Sequence, residues 1–146
     1  MAEAGTGRII LVSSGAAFLG IYGFSAYAPS KFAVRGLAEI LRLELSGRGI
    51  SVTLACPPDT DTPQLAEEEK TKPALTRRIS AAAGIWSAEA VASAMIDAAL
   101  KRRFLVGPGW AIRALSSFHS VIGPIFRLRQ SLMLRHEARR RFEVTK

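Results

Sequence analysis

Short apolar runs alternate along the chain with longer amphipathic segments, which predicts strands separated by helices. Residues 7–14 are almost continuously β-branched and aliphatic, a pattern typical of a strand buried on both faces of a parallel sheet. A second run covers 50–56 and ends at two prolines, which cannot donate to a sheet ladder. A third, shorter run covers 104–106. We therefore expect a sheet of about three strands.

Two amphipathic helices are predicted between these strands. Over residues 26–45 the apolar side chains recur at three- and four-residue spacing, as Val34, Leu37, Leu41 and Leu45. Gly47 and Gly49 follow this helix, where left-handed backbone is commonly needed. Residues 87–100 predict a second helix, with Ser87 as its N-cap and Glu89 in its first turn. The side chains expected to face inward on this helix are Val91, Met95 and Ile96.

The order strand–helix–strand–helix–strand indicates an α/β fold with a parallel sheet, Rossmann-like and doubly wound. Residues 57–85 are polar and contain prolines, and they form a longer connection than an idle loop needs. Such segments are often lids or binding loops. We predict one catalytic domain over residues 1–109 and a basic amphipathic tail over 110–146.

Composition narrows the class of protein. The single cysteine, Cys56, excludes an internal disulfide framework, fits a reducing compartment, and is most simply a buried strand residue. No uninterrupted apolar run of about 18 residues occurs, and the first residues show no secretory signal. We expect a cytoplasmic protein, peripheral on the cytosolic face of a membrane if the tail binds lipid.

The net charge of +8 is concentrated in the last third of the chain. Residues 101–146 hold eleven of the 20 Lys and Arg residues against two Glu. Such a tail meets solvent, the headgroups of a membrane surface or nucleic acid. We predict no nucleic-acid partner and retain a membrane surface, contacted through an interfacial helix that includes 139–141.

Three residues that carry chemistry stand at the end of the first strand and at the head of the next helix. Ser14 ends the first apolar run, and Tyr27 and Lys31 are four residues apart, so they share a helix face. A lysine cation about 4 to 5 Å from a phenol, at an effective dielectric of about 20, favours the phenolate by roughly 3 to 4 kcal/mol. We therefore expect Lys31 to lower the pKa of Tyr27, making Tyr27 a general acid–base. Ser14 is expected to hydrogen-bond a substrate carbonyl.

Other chemistries find less support in the sequence. His119 and His136 stand alone, without a second ligand at metal spacing, so no metal site is predicted. The sequence has no Gly-x-Ser-x-Gly, and neither histidine is placed to serve Ser14, which argues against a hydrolase.

Several motifs together resemble the short-chain dehydrogenase/reductase family. They are the serine-ended strand at 12–14, the Tyr-x-x-x-Lys segment at 27–34, and the proline-rich turn Pro-Pro-Asp-Thr-Asp-Thr-Pro at 57–63, continued at 67–68 and 70–73. Most of the family has glycine where Pro58 stands. The version of the turn found here is similar to that of family members that reduce 3-ketodihydrosphingosine, a long-chain ketone, with NADPH.

The resemblance implies roles for individual residues. Ser14 would position the substrate oxygen, Tyr27 would donate the proton, and Lys31 would hold the nicotinamide ribose. The residues expected to bind NADPH are Tyr27, Lys31, Pro57, Asp59, Thr60 and Thr62. The resemblance also implies a lipophilic ketone as substrate and a homodimer formed through the tyrosine-bearing helix.

The sequence departs from the family pattern at its beginning. Gly5-Thr6-Gly7 lacks a third glycine and precedes a strand, whereas the family's phosphate-binding turn follows one. The chain is therefore expected to be the carboxyl-terminal half of a reductase, with an unpaired sheet edge at 8–14. One alternative stays open: a catalytically incomplete chain that acts as an interaction or membrane-surface module.

Overall fold

A computed structural model of the chain describes residues 1–81 and 84–144, with backbone alone at Ala111, Glu137 and 140–144. In chain order the elements are β1 (Gly7–Val12), α1 (Tyr27–Glu44), β2 (Ile50–Ala55), β3 (Asp59–Asp61), α2 (Pro63–Thr71), α3 (Ala74–Ser80), β4 (Ile85–Ser87), α4 (Ala88–Leu100), β5 (Leu105–Val106) and α5 (Trp110–Val144). Short 3₁₀ turns cover Gly15–Ala17 and Ser46–Arg48.

The main sheet has three parallel strands in the order β1-β2-β5. Its register pairs Gly7 with Ile50 at one end and Val12 with Ala55 at the other, and β5 joins by pairing Leu54 with Leu105. The predicted α/β class with a three-stranded parallel sheet is confirmed.

The central strand β2 is covered on both faces. Residues 52–56 are all buried, although successive strand side chains point to opposite faces. Val52 and Leu54 pack in one cluster with Ala38 of α1, and α4 also contacts β2. Helices on both faces of a parallel sheet are what a doubly wound fold requires.

The expectation that β1 is buried on both faces is wrong. None of its six residues is buried: Arg8 and Val12 are exposed, Val12 at 48%, and the other four are half-buried. Within the described residues β1 pairs only with β2, so it lies at the edge of the sheet, where less of the molecule covers it. The predicted open edge is thus present in this part of the chain.

The two predicted helices are present at their predicted positions, as α1 and α4, but some of their side chains are more exposed than predicted. Gly49 adopts φ 68°, as expected, whereas Gly47 does not have a positive φ. On α1, Leu37 is 49% exposed although it belongs to the apolar stripe from which the helix was predicted. Ser87 caps α4 by accepting a hydrogen bond from the Ala90 N–H at 3.1 Å.

The inward face of α4 was predicted only in part. Val91 is buried and Met95 is half-buried, but Ile96 is 56% exposed. Ala98 and Ala99 are buried instead, since α4 rests on the sheet through small side chains that allow a close approach.

Residues 57–85 are not a plain loop, and that part of the prediction is wrong. Strand β3 pairs in parallel with β4, and two helices lie between them in the chain. Thr62 caps α2 by accepting from the Leu65 N–H, with a proline in the first turn, a favourable combination for starting a helix. Residues 82 and 83 of this segment lie outside the described residues.

The predicted tail begins where α5 begins, at Trp110. The helix bends at Phe118, whose φ of −122° is not helical, and Ile112 is buried in the core cluster. Gln130, 8% exposed, ties α5 to the connection before α1: its amide donates to the Gly20 carbonyl and accepts from the Tyr22 N–H, both at 2.9 Å. No described helix combines the length and apolar content that crossing a bilayer requires.

Candidate active site

The end of β1 places Ser14 at the carboxyl edge of the sheet. The Ser13 N–H extends the ladder by donating to the Ala55 carbonyl at 2.7 Å, and the Ser13 hydroxyl donates to the Lys31 carbonyl at 2.8 Å. Ser14 then starts the 3₁₀ turn, its hydroxyl accepting from the Ala16 N–H at 3.2 Å. The strand end and the first turns of α1 are therefore fixed to each other through Ser13.

Helix α1 presents Tyr27 and Lys31 on one face beside Ser14. The ring of Phe24 packs against the ring of Tyr27 at 5.1 Å between centroids, tilted by 58°. The Lys31 ammonium lies over the face of the same ring, 5.3 Å from its centroid. This geometry is that of a cation–π contact.

All seven residues predicted for catalysis and cofactor binding line one cleft of about 190 Å³. Ser14, Tyr27 and Lys31 form one wall, and the opposite wall comes from the turn after β2 and from β3: Pro57, Pro58, Asp59, Thr60 and Thr62. Helix α2 adds Gln64 and Leu65, which no sequence motif indicated, and Glu68, which belongs to the quoted family motif but had no predicted role. The cleft lies at the carboxyl end of the parallel strands, where open α/β sheets bind their ligands.

The expectation of a lowered Tyr27 pKa is wrong for this arrangement of side chains. Burial is the largest effect and raises the pKa of Tyr27, and the carboxylates of Glu68 and Asp59 raise it further. A hydrogen bond with the Ser14 hydroxyl and the charge of Lys72 act in the opposite direction without outweighing burial. The Lys31 ammonium, which lies over the ring face, does not prevent this rise in the pKa of Tyr27.

Lys72 belongs to the quoted family motif at 70–73, but no role was predicted for it from the sequence. Its side chain is 1% exposed, and its ammonium contacts Asp59 at 3.3 Å and Glu69 at 2.5 Å. Burial acts to lower the pKa of Lys72, but its hydrogen bonds with Glu69 and Asp59 outweigh burial and raise it. Through these two ion pairs Lys72 links β3 to the end of α2.

An apolar cavity of about 220 Å³ adjoins the cleft and shares Ser14, Pro57, Pro58 and Asp59 with it. Its apolar lining comes from the connection before α1, from α3 and from α5: Leu19, Ile21, Phe24, Ile79, Ile112, Leu115 and Phe126. The four shared residues therefore separate a polar cleft from an apolar cavity that lies beside it.

The other residues considered from the sequence do not line the cleft. Cys56 is fully buried, as predicted, and burial raises its pKa to about 12. His119 packs against Phe18, with 6.1 Å between ring centroids. Among the described residues no group of three or more His, Cys, Asp or Glu side chains is arranged to hold a metal.

Comparison with known families decides the class of the chain. A family model described as short chain dehydrogenase matches residues 1–73, which include β1, α1 and every residue that lines the cleft. The chain belongs to the short-chain dehydrogenase family. The spacing of Ser14, Tyr27 and Lys31 and the proline-rich turn indicate the same family.

Relatives within the family point in the same direction. A 3-ketodihydrosphingosine reductase of Mus musculus is 46% identical over 132 residues, which cover 90% of this chain and 40% of that protein. The chain thus spans about 40% of the length of this curated relative.

Solved structures agree on the fold. A short-chain dehydrogenase from Sphingobium yanoikuyae, in complex with NADPH, superposes with a TM-score of 0.62 at 23% identity, covering 90% of this chain and 46% of that one. A family member from Burkholderia phymatum in complex with NAD gives a TM-score of 0.65 at 25% identity, covering 84% and 50%.

Proposed function

We propose that this short-chain dehydrogenase chain carries the catalytic residues of an NADPH-dependent ketone reductase acting on 3-ketodihydrosphingosine or a similar lipophilic ketone. The observation that carries the proposal is the convergence of Ser14, Tyr27 and Lys31 with the 57–62 turn in one cleft beside an apolar cavity. The mouse relative's name supplies the substrate class.

In this proposal the Tyr27 hydroxyl donates its proton to the carbonyl oxygen. The Ser14 hydroxyl, beside it, donates a hydrogen bond to the same oxygen as negative charge develops there. NADPH, when bound, supplies the hydride to the carbonyl carbon, so that hydride and proton together give the alcohol. The raised pKa of Tyr27 keeps the phenol protonated at neutral pH and therefore ready to donate.

The cleft fits the nicotinamide-ribose end of such a cofactor. Lys31 offers an ammonium donor for ribose hydroxyls, and Thr60 and Thr62 border the opposite wall. The hydroxyls of both threonines are engaged with backbone carbonyls, at 3.0 Å to Pro58 and 3.2 Å to Thr60, which fixes the shape of that wall. The sequence offers no glycine-rich turn after a strand for the phosphates.

The test is turnover with a defined substrate in the protein as its own gene encodes it. NADPH oxidation is followed by absorbance with 3-ketodihydrosphingosine, for the wild type and for Ser14→Ala. We expect a fall in kcat of roughly 100-fold for Ser14→Ala, as for other lost oxyanion donors. Ser116→Ala, a substitution on α5 outside the cleft, serves as the control and should retain activity. Failure of the wild type to oxidise NADPH with this ketone would refute the proposal.

The 146-residue chain is tested separately by titration with NADPH, followed by nicotinamide fluorescence. We expect no tight binding, because the phosphate-binding turn is absent from its sequence. Tight binding would contradict this assignment of the phosphate contacts.

A second role, contact with a membrane surface, is favoured by α5. Apolar side chains at three- and four-residue spacing are 56% to 65% exposed along one stripe: Phe118, Val121, Ile125, Leu128 and Leu132. Arg129 and Arg135 flank this stripe and are exposed. An apolar face bordered by arginines suits the interface of an anionic bilayer. In this reading the protein lies on the cytosolic face.

Vesicle sedimentation tests the membrane role. Exposed arginines near an anionic surface contribute about 1 kcal/mol each, so Arg129→Gln with Arg135→Gln should weaken binding to phosphatidylserine vesicles about 30-fold. Arg48→Gln, in the turn after α1, should leave binding unchanged. Binding that is insensitive to both salt and these arginines would contradict this role. The side chains of 140 and 141, part of the predicted basic run, lie outside the described side chains.

A further inference from the structure

We propose that Glu68 binds an ammonium group carried by the substrate on the carbon next to its reacting ketone. This inference rests on the proposed function and adds to it a specificity-determining residue. The inference is based on three successive glutamates of α2, Glu67 to Glu69. Of these, only Glu68 lines the cleft, and it has no cationic partner among the described residues.

The two neighbours of Glu68 are already paired. Glu67 contacts Lys70, and Glu69 contacts both Lys72 at 2.5 Å and Arg77 at 3.4 Å. Glu68 is half-buried and lines the cleft. Among the described residues, no Lys, Arg or His side chain lies within 4 Å of its carboxylate.

The Glu68 carboxylate is nevertheless held in place. The Gln64 amide, one turn earlier on α2, donates to Glu68 Oε1 at 2.9 Å. A neutral donor orients the carboxylate without compensating its charge, so the second oxygen stays free to accept from a ligand. The result is an oriented anion beside the candidate catalytic residues.

Asp59 is the other carboxylate of the cleft, and it is less suited to this role. The buried ammonium of Lys72 already contacts its Oδ2 at 3.3 Å. Lys31, the remaining cation of the cleft, lies over the Tyr27 ring and forms no ion pair with Glu68. Of the charged groups that line the cleft, Glu68 is therefore the carboxylate left for a cation that arrives with the substrate.

The negative charge of Glu68 acts on the phenol oxygen of Tyr27, which would deliver the proton. Its carboxylate is one of the groups that raise the pKa of Tyr27. When the ketone oxygen is hydrogen-bonded to the Tyr27 phenol, the carbon next to the ketone lies only a few ångströms from that phenol. An ammonium group on this carbon is therefore close enough to interact with the Glu68 carboxylate. The compound named for the mouse relative, 3-ketodihydrosphingosine, carries an amino group at that carbon.

The pairing also has a consequence for catalysis. An ammonium bound at Glu68 offsets the negative charge that otherwise disfavours the phenolate. Binding of an amino ketone therefore lowers the pKa of Tyr27 from its raised value and makes the phenol a better proton donor. A ketone without the ammonium leaves the phenol as the weaker acid.

The experiment compares two ketones in the protein as its own gene encodes it, with NADPH. One is 3-ketodihydrosphingosine, and the other is 1-hydroxyoctadecan-3-one, which has the same chain, ketone and hydroxyl but no amino group. The readout is the ratio of the two kcat/KM values. Glu68→Gln should lower this ratio by about 10- to 100-fold, the range for a lost hydrogen bond between charged groups, through a loss for 3-ketodihydrosphingosine that the second ketone does not share.

Two variants serve as matched controls. Glu67→Gln removes the same charge from the adjacent position, where the side chain is paired with Lys70, and should leave the ratio unchanged. Glu68→Asp keeps the carboxylate on a shorter stem and should retain part of the preference.

A third measurement needs no variant. In the wild type the ratio should fall as pH rises through the pKa of the substrate ammonium. The titratable and charged groups that face the substrate ammonium from the cleft and from behind Asp59 are Tyr27, Lys31, Asp59, Glu68 and Lys72. Lys31, Asp59 and Lys72 meet both ketones alike, so their effects cancel in the ratio, whereas the substrate ammonium changes the ratio through Glu68 and Tyr27.

The outcomes separate the two proposals. Equal losses for both ketones in Glu68→Gln, or a wild-type ratio that does not change with pH, would overturn the role of Glu68 and leave ketone reduction standing. A wild type that reduces neither ketone would refute the proposed function itself, and the inference with it.

Discussion

Replacing Gln130 with alanine tests whether α5 is part of the unit that holds the candidate site. The side chain is 8% exposed and makes two hydrogen bonds of 2.9 Å across more than 100 residues of chain, to Gly20 and Tyr22. Thr76 holds the same connection from the other side, by donating to the Tyr22 carbonyl at 2.5 Å. This connection leads directly into α1 and therefore into Tyr27.

The cost of the substitution follows from those two bonds. Each is worth about 1 kcal/mol net, and leaving a partly buried backbone donor and acceptor without partners adds to the loss. We expect Gln130→Ala to lower the free energy of unfolding by about 2 to 3 kcal/mol and Tm by about 10 °C, at about 4 °C per kcal/mol.

Urea unfolding followed by circular dichroism measures this change. Ser131→Ala, the next residue of α5 and an exposed one, is the matched control and should change stability by less than about 0.5 kcal/mol. If Gln130→Ala were as stable as the control, α5 would not pack against the connection before α1 as described. The assignment of α5 residues to the lining of the apolar cavity would then be wrong as well.

Further predictions concern titration, reactivity and packing. Ser14→Ala should raise the pKa of Tyr27 and Glu68→Gln should lower it, measured by phenolate absorbance with Tyr27→Phe to assign the signal. Because folding raises the pKa of Tyr27 above its ordinary value of about 10, the stability that it contributes is present below pH 10 and should be lost as pH rises through the folded pKa. Cys56, with its pKa of about 12, should react with iodoacetamide at least about 100-fold more slowly in the folded chain than in urea. Leu54→Ala, at a side chain 1% exposed in the core cluster, should cost about 2 to 5 kcal/mol in urea unfolding.

Local spacing predicted that Ser14, Tyr27 and Lys31 meet, and the family resemblance predicted that the 57–62 turn joins them. Tyr27 and Lys31 share a face because they are one helical turn apart, and Ser14 joins them because parallel strands end at a common edge. The turn at 57–62 follows the adjacent strand, so it reaches the same edge. These relations depend on backbone geometry that a sequence pattern reports directly.

The electrostatics of the cleft were not predictable in this way. The direction of the Tyr27 pKa depends on how deeply the ring is buried and on where the Lys31 ammonium lies, and side-chain spacing fixes neither. The role of Glu68 was hidden for a similar reason. Three successive glutamates look alike in sequence, and only the placement of α2 shows which of them faces the cleft.

The elements within 57–85 were missed because their signals are short. Strands β3 and β4 have three residues each and pair with one another across an intervening pair of helices, so neither has a periodic pattern of its own. The Thr62 cap followed by Pro63 was the available signal for α2. Gln130 is a lone polar residue in a basic helix, and its two partners lie more than 100 residues away.

The central claim is that the Tyr27 phenol delivers a proton to a ketone, and Tyr27→Phe tests it most directly. The measurement is the rate of NADPH oxidation with 3-ketodihydrosphingosine in the protein as its own gene encodes it, beside Tyr22→Phe, which changes the other tyrosine at an exposed position. Loss of a general acid should lower kcat by about 100- to 10,000-fold for Tyr27→Phe, with Tyr22→Phe close to the wild type. Near-normal turnover by Tyr27→Phe would contradict the account.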